Sequence, residues 1–106
     1  MKIQDASQVL GIPVADVDGR RLGRIVAVDC TPDPYNAAWF VVRLHGWRRG
    51  LRAVPAHDAD WSTGAGLRVS YRRAQILASA TPSKDGLHDL ACRRAIEAFY
   101  AAVPVG

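Results

Sequence analysis

His57, Asp58 and Asp60 fall within four positions of one another, and an imidazole beside two carboxylates is the raw material of a metal site or an acid–base pair. Either use needs further groups converging from other elements. His45 and His88 are the remaining histidines, and nothing in their spacing directs them to this cluster. The cluster reads as a solvated turn. Ser62 and Thr63 follow it without the strand–turn–helix context of a nucleophile elbow. Gly64-Ala65-Gly66 is too short for a phosphate loop and precedes a strand rather than a helix. Cys30 and Cys92 stand far apart, outside any Cys-x-x-Cys spacing, and read as reduced, partly buried thiols. The expectation is therefore no catalytic centre, no metal and no cofactor.

Arginine is the residue type in surplus. Of 14 basic residues 12 are arginine, and the net charge is +4. Residues 1–77 hold 11 basic against 7 acidic residues, and residues 78–106 hold 3 against 3, so the whole excess lies in the first part. Arg43, Arg48, Arg49 and Arg52 gather around one hairpin with Trp47 among them, and Arg68 and Arg72 lie on or beside the outer face of a later strand. Guanidinium forks interleaved with an aromatic ring suit phosphates and stacked bases. The competing reading is a solvated face that keeps strand edges apart.

These residues need a scaffold. At 106 residues with 49% apolar and 23% charged side chains, the chain has the size and composition of one globular domain. No apolar run approaches the ~20 residues of a membrane span. Residues 1–5 lack the charged-then-apolar build of a signal peptide, and a cytoplasmic protein is expected.

Residues 12–17 read as a short strand, and Asp18-Gly19 as the turn into a second strand over 22–30. Apolar residues on both faces from Ile25 onward imply cover on both sides or a bulge. In the strand 38–44, Phe40, Val42 and Leu44 share the core face, while Trp39, Val41 and Arg43 share the other. Residues 51–55 and 67–72 read as further strands, 55–66 as a turn-rich connection, and 73–78 as a helical turn. A linker over 79–86 leads to a helix over 87–103. Its stripe is Leu87, Leu90, Ala91, Ala95, Ala98, Phe99 and Ala102, widened by Ile96 and Val103.

The order Gly11-x-Pro13-Val14, Asp18-Gly19, Leu22-Gly23-x-Ile25, Val28-Asp29, the strand from Trp39 to Leu44, Val54-Pro55 and the strand from Leu67 to Tyr71 resembles that of PRC-barrel domains. That family includes the barrel of the photosynthetic reaction-centre H subunit and that of a ribosome-maturation factor. The resemblance covers about residues 8–78. It implies a mainly β fold, a small, strongly bent PRC-type β-barrel over 1–78 with a C-terminal α-helix. The helix packs on the barrel or on a second subunit. It also implies a docking surface rather than an active site. The chain shows neither the membrane anchor of the one relative nor the separate amino-terminal domain of the other, so neither function carries over directly.

Two surfaces follow. The Trp39 and Val41 face and the helix stripe at Leu90, Ile96 and Phe99 both need cover, which makes them the candidate interface of a homodimer. Arg43, Trp47, Arg48, Arg49, Arg52, Arg68 and Arg72 are the candidate nucleic-acid contacts. The expected function is a non-catalytic docking or assembly module that binds protein partners, itself among them. The alternative is an RNA- or ribosome-associated adaptor using the arginine face.

Overall fold

The computed structural model describes residues 8–30, 36–46, 50–62, 66–79, 81–82 and 90–103. The chain is mainly β. Six strands, β1 (Pro13–Ala15), β2 (Arg21–Asp29), β3 (Trp39–Leu44), β4 (Gly50–Pro55), β5 (Asp60–Ser62) and β6 (Gly66–Arg68), form one sheet in the order β4-β3-β2-β1-β6-β5. All neighbours are antiparallel except β1 and β6, which run parallel. Two helices follow, α1 (Arg73–Ala78) and α2 (Leu90–Ala102). Among the described residues no helix is long and apolar enough to cross a membrane.

Between β1 and β2 the chain turns over Asp16–Arg20, where Gly19 takes a φ of +85° that a side chain would resist. Asp16 organises this turn from inside the protein, with 1% of its surface exposed. One carboxylate oxygen accepts the backbone N–H groups of Asp18 at 3.0 Å and Arg20 at 2.7 Å. The other accepts the N–H of Arg73, the first residue of α1, at 2.8 Å. One side chain thus closes a local turn and holds a helix that begins 57 residues later. At that helix start Gln75 accepts the N–H of Arg72 at 2.9 Å.

Of the two alternatives for β2, cover on both faces or a bulge, a bulge is present. The pairing with β3 shifts by one residue between Ile25 and Ala27, leaving Val26 extra and 39% exposed. The shift reverses the facing of Gly23, Arg24 and Ile25, and a second irregularity in the β1–β2 register, which skips Leu22, turns the strand again. Ile25 turns inward beside Val42, and Arg24 turns outward beside Arg43. The core sits on the inward face, with Phe40, Val42, Val54, Ile25, Leu22, Val14, Leu67 and Val69, and Ile76 of α1 joins it. Val9, in the lead-in before β1, is fully buried in the same core.

The sheet does not close into a barrel among the described residues. Its edges are β4 and β5, and β5 falls inside the stretch expected to be a turn-rich connection. The β4 edge is blunted against pairing. Ala56 N–H donates to the Ala38 carbonyl at 2.9 Å, which sets the phase of the ladder. Leu51, Ala53 and Pro55 then turn their backbone groups away from β3. Pro55 has no donor, the Ala53 carbonyl accepts the Tyr100 hydroxyl at 2.9 Å, and the Leu51 carbonyl accepts Arg52 Nη1 at 2.8 Å.

Helix α2 crosses the strands. Arg93 Nη1 reaches the Asp29 carboxylate on β2 at 2.7 Å, and Tyr100 reaches Ala53 on β4. Seven residues of helix rise ~10 Å, which matches two strand spacings. The buried stripe is Ile96 and Tyr100, with Cys92, Phe99 and Val103 packed beside them. This corrects the expected stripe. Leu90, Ala91, Ala95, Ala98 and Ala102 are exposed. The buried face is set by Ile96 and Tyr100, of which Tyr100 was not among those expected inside, and Leu87 lies outside the described residues.

Tyr100 links this helix to a pH response. Burial pushes its hydroxyl up to about 12. The folded state therefore holds a proton that the unfolded chain releases near 10. The stability this contributes is complete below pH 10 and is lost as pH rises from about 10 to 12. Tyr100→Phe should cost about 1–2 kcal/mol at pH 7 by orphaning the Ala53 carbonyl. It should also flatten the alkaline decline. Thermal melts of both proteins at neutral and alkaline pH check this.

Candidate docking groove

Cross-strand register, more than any one motif, builds the most developed surface site. Pro13 of β1 stands opposite Arg24 of β2, Arg24 opposite Arg43 of β3, and Arg43 opposite Leu51 of β4. Directly opposed residues share a face, so these four side chains form one row across four strands on the outer face. The row lines an open groove of about 930 Å³, which Arg21 and His45 also border.

The electrostatics are one-sided. Arg21, Arg24 and Arg43 line the groove, and its described lining holds no carboxylate, hydroxyl or thiol. Arg24 Nη1 donates to the Gly11 carbonyl at 2.9 Å, which fixes its direction. His45 Nε2 donates to the Arg21 carbonyl at 3.1 Å and ties the end of β3 to β2. Among the described residues the Arg43 guanidinium has neither an ion-pair nor a hydrogen-bond partner. Two arginines stand directly opposite with no acid between them, an arrangement that destabilises a bare sheet. Pro13, Val26 and Leu51 add apolar side chains to the groove.

Gly23 makes the row possible. A Cβ built on it would lie 1.8 Å from the Arg43 carbonyl oxygen. Only glycine lets β2 come close enough to β3 here, in the next register position to the arginine pair.

The arginines expected to act together occupy different surroundings. Arg43 lines the groove. Arg52, half-buried, turns to the Thr81 hydroxyl at 3.0 Å, and its Nε is buried without a partner among the described residues. Arg68 stands opposite Asp60, and its guanidinium lies 4.0 Å from where a Cβ at Gly19 would be. Arg72 is exposed and 4.0 Å from the Asp18 carboxylate. Trp47, Arg48 and Arg49 lie outside the described residues. Arg21 and Arg24 were not among the expected site residues. The signal that finds Arg24 is the Val26 bulge, since an unbroken ladder would set it opposite Leu44, while Arg21 reaches the same face through the second shift at Leu22.

The candidate interface residues divide as well. Trp39 and Val41 are buried within the chain, as is Ile96, and the Trp39 ring meets Tyr100 of α2 edge-on with centroids 5.8 Å apart. Phe99 is half-buried against Tyr100, and Leu90 is 59% exposed.

A smaller hollow of about 300 Å³ lies at the Trp39 end, bordered by His57, Tyr71, Glu97 and Tyr100. Tyr71 and Tyr100 pack edge-to-face with centroids 4.8 Å apart. His57 Nε2 lies 3.4 Å from the Tyr71 hydroxyl, whose pKa is raised by burial and by the nearby Asp58. Asp58 adopts a φ of +59° in the tight turn, while Asp60 begins β5. Among the described residues no group of three or more His, Cys, Asp or Glu side chains is placed to hold a metal ion.

No protein-family model matches the chain, and no curated protein matches it.

Proposed function

We propose that the chain is a non-catalytic docking module of the PRC-barrel type, and that it binds a partner protein through the groove over Arg24 and Arg43. The observation that carries this reading is the opposed arginine pair. A like-charge pair costs the sheet stability, and a bound anion turns that cost into attraction. The groove is broad, and its described lining offers nothing to act as nucleophile, acid or base other than His45, whose Nε2 is engaged with backbone. Such a surface is suited to holding rather than transforming.

Affinity purification of the tagged chain from its own cells tests the reading. A nuclease-resistant protein partner should be retained by the native chain and by Arg72→Glu, and lost with Arg43→Glu by tenfold or more. Retention of the same set by all three chains, or recovery of RNA as the retained component, would overturn it.

A further inference from the structure

We infer that the occupant of the groove is an extended, acidic segment of a partner protein, with carboxylates at its middle and an apolar side chain at each end. This rests on the docking reading and names what is docked. The argument is the order of chemistry along the row. Pro13 and Leu51 stand at its ends and Arg24 and Arg43 at its centre. The row crosses three strand spacings, ~14 Å, which an extended chain covers in about four or five residues. An occupant matched to it is apolar, acidic, then apolar again.

Charge sets the middle of the segment. The Cβ atoms of opposed strand residues stand about 5 Å apart, within reach of a single carboxylate or of two on alternate residues. Arg24 is already oriented by the Gly11 carbonyl, and the Arg43 guanidinium has no partner among the described residues. The first supplies a fixed fork and the second an unspent one, and planar forks pair carboxylates two bonds at a time. No acid in the described lining competes for them.

Two other occupants fit less well. A single-stranded nucleic acid would use the arginines, but Pro13 and Leu51 at the ends of the row offer it no ring to stack on. A free phosphate would use the arginines and leave the apolar ends idle. Addition of the segment as a strand on β4 is disfavoured, since the outward carbonyls of Leu51 and Ala53 are already taken and Pro55 offers no donor.

Fluorescence anisotropy tests the inference with three labelled probes: a short peptide with glutamates between two leucines, its glutamine counterpart, and an oligouridylate. The native chain should bind the glutamate peptide at least tenfold more tightly than the glutamine peptide. Arg43→Gln should lose at least tenfold for the glutamate peptide, about one charge-assisted pair. Its melting temperature should hold or rise, because the like-charge opposition is gone. Arg72→Gln should bind as the native chain does. Equal binding of both peptides, no binding, or unchanged binding by Arg43→Gln would overturn the inference. So would tighter binding of the oligouridylate. If the peptide fails while the cellular partner still depends on Arg43, docking stands and the acidic-segment occupant falls. If both fail, both fall.

Discussion

Asp16→Ala should lower the folding stability by about 3 kcal/mol or more, a fall of roughly 10–20 °C in the melting temperature. The carboxylate is 1% exposed and accepts three backbone N–H groups, from Asp18, Arg20 and Arg73. Bonds to a charged acceptor are worth more than neutral ones, and donors left buried without a partner lose their hydration as well. The isosteric change separates the contributions. In Asp16→Asn the remaining oxygen can serve Asp18 and Arg20, but the amide then points a donor at the Arg73 N–H. About half the loss should remain, and it should concentrate at α1. Chemical denaturation gives the energies, and amide exchange at Arg73–Ile76 shows whether α1 loosens first.

Gly23→Ala should be comparably severe, at about 3 kcal/mol or more. The added methyl would meet the Arg43 carbonyl at 1.8 Å, and a backbone atom has no rotamer through which to retreat. The two strands must part at this end of their ladder, beside the arginine pair, and Arg43 must move with its carbonyl. Loss of stability and loss of groove binding should therefore appear together. Gly50→Ala is the control. Its Cβ would find the flexible end of Arg52 at 3.5 Å, and the melt should change by only ~0.5 kcal/mol. If Gly23→Ala melts with Gly50→Ala, the close approach of β2 and β3 is not what holds this region.

Periodicity made the framework legible, and chemistry acting at a distance hid the rest. The alternation of Phe40, Val42 and Leu44 predicts the core face of β3, and all three are buried. Asp18-Gly19 predicts the turn, and Gly19 has the positive φ the turn needs. The helical turn over 73–78 is present as α1. Asp16 showed no sign of its role, because one of its partners is 57 residues away. Arg24 was hidden by a single extra residue, since its facing depends on the bulge at Val26. The α2 stripe misled because alanine counts as apolar at every position it occupies, yet has little surface to bury. The larger Ile96 and Tyr100 decide which face turns inward.

The parallel pairing of β1 with β6 also has a kinetic meaning. Val14 and Ala15 join their hairpin partner within ten residues, but they meet Leu67 and Arg68 only across 53 residues of chain. The hairpin of β1 and β2 closes a short loop and can form early. The seam between β1 and β6 must wait for a long one, whose entropy no local contact repays. Asp16 stands at that seam with one oxygen serving the early turn and the other serving the late helix. Until α1 docks, the hairpin carries a half-used carboxylate. One carboxylate thus ties the local turn to the distant helix, so the β1–β6 seam and α1 support each other.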